Sequence, residues 1–290
     1  MTASVTIAML LANATTMLAE SMALEKREAR IEARVLLAHG LEVDHAWLIA
    51  HDQDAPTPAQ LHAIEDLLAR RASGEPVAYM LAEREFYGLS FKVTPDVLIP
   101  RPDTELLVET ALEQMPENTP CRILDLGTGS GVIAITLALQ RPLSTVLAVD
   151  ASLAALAIAQ ENSRQLGTTN VVCICSNWYA MLDVKKFDII VSNPPYIAAS
   201  DPHLASGDLR FEPRQALASG ADGLDDIRQI IAGAPSHLVE GGWLLLEHGC
   251  TQAAAVTALL QQHGFTAIRT LKDLAGLDRV SMGSWSGQAG

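Results

Sequence analysis

Apolar positions recur at helical spacing through the first 73 residues, and from residue 122 onward they gather into short runs separated by helical stretches. Met9, Leu10, Met17 and Leu18 mark the apolar face of one helix, and Ile31, Val35, Leu36 and Leu37 that of a second. A short third helix is expected over 46–51. Thr57 then reads as an N-cap with Pro58 at the first helical position, opening a helix faced by Leu61, Ile64, Leu67 and Leu68. Short amphipathic helices bury their stripes against one another, so these predict a small bundle.

Gly74-Glu75-Pro76 breaks the helical period, and the run from Phe86 to Val93, turning at Gly88, predicts a β-hairpin. Pro95, Pro100 and Pro102 stiffen the approach to a helix over 104–115. Strands are then expected at 122–126, 145–149, 171–175, 187–192, 243–247, 265–271 and 280–285. Helices are expected between them at 130–140, 153–166, 227–238 and 252–263. Alternation of this kind implies an α/β fold, an open and mostly parallel sheet with helices on both faces. Two consecutive final strands imply an antiparallel end. The expected organisation is a helical N-terminal domain over 1–75, a hairpin linker over 76–100 and the sheet domain over 101–290.

Charge changes the picture more than size does. The 290 residues carry 34 acidic and 20 basic side chains, a net charge of -14. Phosphate backbones are bound by Lys/Arg surfaces, so this balance favours a small molecule, or a protein with a basic face, over DNA or RNA. The four cysteines include no C-x-x-C pair. Cys173 and Cys175 share one face of a strand and are expected to be small buried hydrophobes. Such thiols suit a reducing cytosol. Residues 1–24 lack Lys and Arg, so the positive region of a signal peptide is missing. No run reaches the roughly 18 apolar residues of a membrane span. The expected location is the cytoplasm. The eight histidines form no ligand pair at short spacing, and no metal is expected.

Candidate chemistry begins at Asp125-Leu126-Gly127-Thr128-Gly129-Ser130-Gly131, between the first strand of the sheet and its helix. Glycines there let backbone approach a ligand closely. The nicotinamide fingerprint is G-x-G-x-x-G, whereas this loop reads G-x-G-x-G with Val132 at the last fingerprint position. About 20 residues on, Asp150 ends the second strand, where a carboxylate accepts both ribose hydroxyls of an adenosyl group. No Lys or Arg occurs from Ile123 to Gln140, which suits a ligand without phosphate. Together these predict an adenosyl ligand, and the missing basic residues fit S-adenosyl-L-methionine, although backbone N–H groups alone are able to bind phosphate.

Asn193-Pro194-Pro195-Tyr196 directly follows the apolar strand ending at Ser192. An amide nitrogen is a poor nucleophile because its lone pair is delocalised into the carbonyl. The Asn193 side-chain oxygen and the Pro194 carbonyl are suited to accept the two N–H groups of a planar nitrogen, orienting it and favouring the charge that develops during methyl transfer. Prolines hold φ and offer no competing donors. Tyr196 is suited to stack on the planar group. Asn193, Pro194 and Tyr196 are therefore the candidate catalytic residues, and Asn193, Pro194, Pro195 and Tyr196 the candidate substrate contacts.

The glycine loop, this tetrad, Pro100-Arg101-Pro102-Asp103-Thr104-Glu105 and Phe211-Glu212-Pro213-Arg214-Gln215-Ala216-Leu217 together resemble the release-factor glutamine methyltransferases of the HemK/PrmC type. The resemblance covers nearly the whole chain. It implies a Rossmann-like class I methyltransferase sheet, a substrate-recognising N-terminal bundle, and N5-methylation of the glutamine in the Gly-Gly-Gln loop of peptide chain release factors. S-adenosyl-L-homocysteine is the implied product. It also implies contacts of S-adenosyl-L-methionine at Gly127, Thr128, Gly129, Ser130, Gly131, Asp150, Trp178 and Asn193, where Trp178 is suited to pack near adenine. The expected molecule is a monomer that binds neither membrane nor nucleic acid. The competing reading is an amino-methyltransferase of DNA or rRNA bases, since such enzymes share the tetrad. Glu212 and Arg214 are expected to form a structural ion pair.

Overall fold

The computed structural model describes residues 5–183 and 185–287, and the chain divides into two compact units at Ala82 and Glu83. The first holds α1 (Ile7–Met22), α2 (Lys26–Leu41), α3 (His45–Ala50), α4 (Pro58–Ala72) and α5 (Val77–Leu81). Thr57 caps α4 in a reciprocal capping box with Gln60, as its position ahead of Pro58 implied. Leu18, Leu36, Leu37 and Ile64 are fully buried, but Ile31 is 56% exposed. The buried stripe of α2 runs instead through Ala29 and Ala33, small residues that admit a close helix. Gly40 serves the same end, since a Cβ there would stand 2.7 Å from Ile64 Cγ1.

Two expected boundaries move. Helical structure resumes after Pro76 as α5, whose Met80 joins the core of the bundle. The hairpin of β1 (Glu83–Phe86) and β2 (Leu89–Lys92) is no free linker. Its Phe86 and Phe91 are buried in the core of the second unit. The turn takes positive φ at both Tyr87 and Gly88, the twist that two-residue hairpins favour.

After a 3₁₀ turn at Pro102–Thr104 follow α6 (Glu105–Glu113), β3 (Arg122–Leu126), α7 (Val132–Gln140), β4 (Thr145–Asp150), α8 (Leu153–Gln165), β5 (Val171–Cys175) and β6 (Phe187–Ser192). Then come α9 (Asp225–His237), β7 (Leu238–Glu247), α10 (Ala253–Gln262), β8 (Phe265–Lys272) and β9 (Asp278–Trp285). The seven-stranded sheet has the order β5-β4-β3-β6-β7-β9-β8. Neighbours from β5 to β7 are parallel, and β9 is antiparallel to both β7 and β8. The α/β alternation and its antiparallel end are thus as expected.

Local details depart from the sequence pattern. The strand expected over 243–247 begins earlier, at Leu238, and carries Gly241 and Gly242 within it at a break in its register with β6. Cys175 is exposed and Cys173 half-buried, because β5 is an edge strand. Between β6 and α9 the chain forms 3₁₀ turns at Pro202–Ala205, Gly207–Phe211 and Arg214–Ala216, for which the sequence showed no period.

Candidate active site

Chain order reverses between β3 and β6, where a crevice opens beyond the carboxyl ends of the strands. Leu126 pairs with Ser192, so the glycine loop and the tetrad leave the sheet side by side. The buried Ser192 hydroxyl donates to the Leu126 carbonyl at 2.7 Å and ties the two exits together.

The loop is shaped by its own backbone. Gly127, Gly129 and Gly131 all have positive φ, which L side chains resist. The Gly127 and Thr128 amides donate to Val149 O at 2.8 and 2.9 Å. A Cβ on Gly131 would meet Ile135 Cδ1 at 2.8 Å and Ala159 Cβ at 3.2 Å, whereas one on Gly129 would meet nothing within 4 Å. Gly131 therefore serves packing, and Gly129 keeps the cavity open. Asp150 accepts from the Gly129 amide at 2.9 Å and, through its other oxygen, from the Ser152 amide at 2.8 Å. Asn162 on α8 donates to Ser130 O and also bonds both backbone groups of Lys92, which clamps the hairpin to the loop.

Asp125 is fully buried beneath the loop and accepts from the Thr128 hydroxyl at 2.6 Å. Burial pushes its carboxyl up to about 7, with the Thr128 hydrogen bond opposing. Trp178 has positive φ, packs its ring against Gly127 and donates Nε1–H to Asp226 at 3.2 Å.

The tetrad is held from outside. Asn193 Nδ2 donates to Thr104 Oγ1 at 3.1 Å, joining it to the proline-rich run that precedes α6. The Tyr196 carbonyl accepts from Gln252 Nε2 at 2.9 Å, and a Cβ on Gly223 would come within 2.2 Å of that carbonyl. The Tyr196 hydroxyl faces Glu247 Oε1 at 3.4 Å. Burial and the Glu247 charge raise the phenol far above its ordinary value. Glu212 pairs with Arg101 rather than Arg214, and also takes the Ile99 amide at 3.0 Å. Arg214 donates to Ala199 O instead. The two family-like runs are thereby joined by an ion pair that their separation in the chain hid.

A cavity of about 240 Å³ is lined by Gly127, Gly129, Asp150, Trp178, Asn193 and Asp226, among others. A smaller one of about 60 Å³ is lined by Asn193, Pro194, Tyr196 and Leu209. Asn193, Leu98, Arg101 and Ala216 belong to both walls. Thr128, Ser130 and Pro195 line the larger cavity as well. Sequence reasoning missed Thr104, Glu247, Gly223 and Gln252. Thr104 at least lay inside a quoted run, while the other three come from segments without any motif.

The described residues include no group of three or more His, Cys, Asp or Glu arranged to hold a metal ion, and no helix among them is long and apolar enough to cross a membrane. Residues 10–81 match the family model of the PrmC N-terminal domain, and residues 102–221 match that of the methyltransferase small domain. A release factor glutamine methyltransferase of Bordetella pertussis (strain Tohama I) is 52% identical over 88% of this chain and 94% of its own length. The chain belongs to the release factor glutamine methyltransferase family. A member from Pseudomonas aeruginosa is 48% identical over 93% of this chain and 98% of its own. Among solved structures, a methyltransferase from Pyrococcus furiosus superposes with a TM-score of 0.53 at 19% identity, covering 77% of this chain and 100% of that one. The hMettl16 catalytic domain does so with 0.56 at 18%, covering 76% and 82%. These two likenesses concern the fold, which the family thus shares with distant methyltransferases.

Proposed function

We propose that this chain transfers a methyl group from S-adenosyl-L-methionine to the side-chain amide N5 of the glutamine in the Gly-Gly-Gln loop of peptide chain release factors, leaving S-adenosyl-L-homocysteine. Family membership supports the reaction. The observation that carries the site is Asn193, which lines both cavities while its Nδ2 is tied to Thr104. That tie leaves Oδ1 as the group Asn193 offers an acceptor.

The larger cavity suits the donor. Its floor is glycine backbone left open at Gly129, Asp150 stands in its wall, and Trp178 supplies a flat apolar side. Each Asp150 oxygen already bonded to an amide keeps a second lone pair for a ribose hydroxyl. Gly127, Thr128, Gly129 and Ser130 would hold the donor through backbone, while Gly131, expected to do the same, packs against Ile135 and Ala159 behind them. S-adenosylmethionine supplies, when bound, an electrophilic methyl group on positively charged sulfur. Asn193 Oδ1 and the Pro194 carbonyl then accept the two N–H groups of the glutamine amide, aiming its nitrogen from the smaller cavity toward the larger. Tyr196 lies flat against the amide, Pro195 stiffens the segment, and the nitrogen sheds its proton to solvent.

The remaining expectations fit this reading. The helical unit up to Ala82 serves recognition of the release factor, and the enzyme acts as a cytoplasmic monomer without binding nucleic acid. The net charge of -14 supports a protein substrate over a nucleic acid. Incubation with labelled cofactor and a release factor, one whose loop glutamine is changed to alanine, rRNA or DNA tests the assignment. Label is expected on the unaltered factor alone. Equal labelling of the altered factor, or of RNA, would overturn it.

A further inference from the structure

Glu247 ends β7, is wholly shielded from solvent, and has an Oε2 without a hydrogen-bond partner. Buried polar atoms are seldom left in this state, and where they are the group often has a task. Its other oxygen meets the Tyr196 hydroxyl at 3.4 Å, a loose contact. The Thr104 hydroxyl also faces this carboxyl and favours its charge. Thr104 is itself 2% exposed and already accepts from Asn193 Nδ2. Glu247 thus stands behind both polar side chains of the tetrad, 3.4 Å from the Tyr196 hydroxyl and coupled electrostatically to Thr104, which itself bonds Asn193.

Direction is the useful property of such a chain. A carboxylate only accepts. A Thr104 hydroxyl that turns its hydrogen to such a carboxylate presents its lone pairs to the Asn193 amide, whose Nδ2 it already accepts. Asn193 must then present NH2 to Thr104 and Oδ1 to the site. A protonated Glu247 removes that bias. It is able to donate to Thr104, which is then free to donate to Asn193 Oδ1, and the amide turns its NH2 toward an acceptor that needs an oxygen.

We propose that ionised Glu247 is a positioning residue, which through Thr104 and Tyr196 holds Asn193 with its oxygen toward the acceptor amide. This rests on the role given to Asn193 above. The loose contacts tighten when the acceptor amide arrives, as hydrogen bonds in ligand-free sites commonly do. Burial raises the Glu247 carboxyl to about 7, opposed by Thr104, Arg279 on β9 and Tyr196, and reinforced by Asp103 in the 3₁₀ turn. The Tyr196 phenol stays protonated throughout this range.

The test is kcat against pH from 5.5 to 9 at saturating cofactor and release factor, for the wild type, Glu247→Gln, Thr104→Val, Thr104→Ser and Asn193→Ala. Wild-type kcat is expected to fall as pH drops through about 7. Glu247→Gln should abolish that limb and lower kcat at pH 8 by roughly tenfold or more, with the cofactor KM unchanged. Asp125 titrates in the same range but lies under the cofactor loop, so its limb belongs to cofactor KM. Thr104→Ser keeps the hydroxyl and should keep kcat, whereas Thr104→Val should lose it, a contrast that stands even if Glu247→Gln fails to fold. Glu247→Gln with the wild-type limb and rate, or Thr104→Val equal to Thr104→Ser, overturns the proposal. If those outcomes accompany an impaired Asn193→Ala, only the positioning role fails. If Asn193→Ala itself turns over normally, the reading of the tetrad fails with it.

Discussion

The glycine loop at 127–131 and the tetrad at 193–196 leave neighbouring parallel strands and line the same cavity, but they are held in opposite ways. The loop carries its own shape, with three positive-φ glycines and amides bonded to the end of the adjacent β4. The tetrad borrows its shape from Thr104, Gly223, Glu247 and Gln252, none closer than 27 residues along the chain. A site that must cradle backbone-deep ligand atoms is served by a local device. A site that, on the proposed mechanism, aims one amide oxygen is served by groups converging from several elements, because orientation needs support from more than one direction.

The contrast is broken most forcibly at Asn193. On the proposed mechanism, Asn193→Ala removes an acceptor of the reacting amide and should lower kcat by about 10²–10³ while melting temperature stays near wild type. Methyl transfer assays beside calorimetry check it, and unimpaired turnover would remove the mechanism. Gly223→Ala should disturb the tetrad without touching it in sequence, since its Cβ would stand 2.2 Å from the Tyr196 carbonyl. Its kcat should fall by about an order of magnitude, with cofactor affinity little changed. An equal loss of cofactor binding would show that the two regions are not separately held.

The loop offers a finer test. Gly131→Ala and Gly129→Ala both place a side chain at positive φ, at about 1–2 kcal/mol each. Only Gly131→Ala also collides with Ile135 and Ala159, so its melting temperature should drop further. Gly129→Ala should lose cofactor affinity at a smaller stability cost. Thermal denaturation with cofactor titration separates them.

The last test concerns Asp125. Burial raises its carboxyl from 3.8 to about 7, so folding favours the protonated form. The stabilisation is fully present below about pH 4 and is lost as pH rises through about 7. Asp125→Asn should therefore gain stability relative to wild type between pH 5 and pH 8, by at most a few kcal/mol. Melting curves across that range check the sign. Glu247 titrates in the same direction and leaves part of the slope in place.

Legibility followed the same division. Gly127, Gly129, Gly131 and Asp150 were readable because spacing along one strand, loop and helix reports on a local shape. Asn193-Pro194-Pro195-Tyr196 was readable as chemistry but not as a supported structure. Arg101 and Glu212 stood in separate quoted runs, and nothing in either predicted their ion pair. The hairpin was visible, but its burial in the second unit was not, because Phe86 and Phe91 look alike on a linker and in a core. Ile31 misled for a related reason: size suggested the buried face of α2, while the close packing of α2 on its neighbours chose alanines.

By itself the sequence determined the helix and strand periods, the α/β alternation, the conformation available to the glycine loop and the chemical groups offered by the tetrad. These depend on neighbours within a turn or a strand. The tertiary structure alone decided the strand order that brings β3 beside β6, the partner of Glu212 and the burial of Glu247 behind Tyr196 and Thr104. Those depend on contacts between distant segments, which are set when apolar faces pack and leave no mark in the spacing of any one of them.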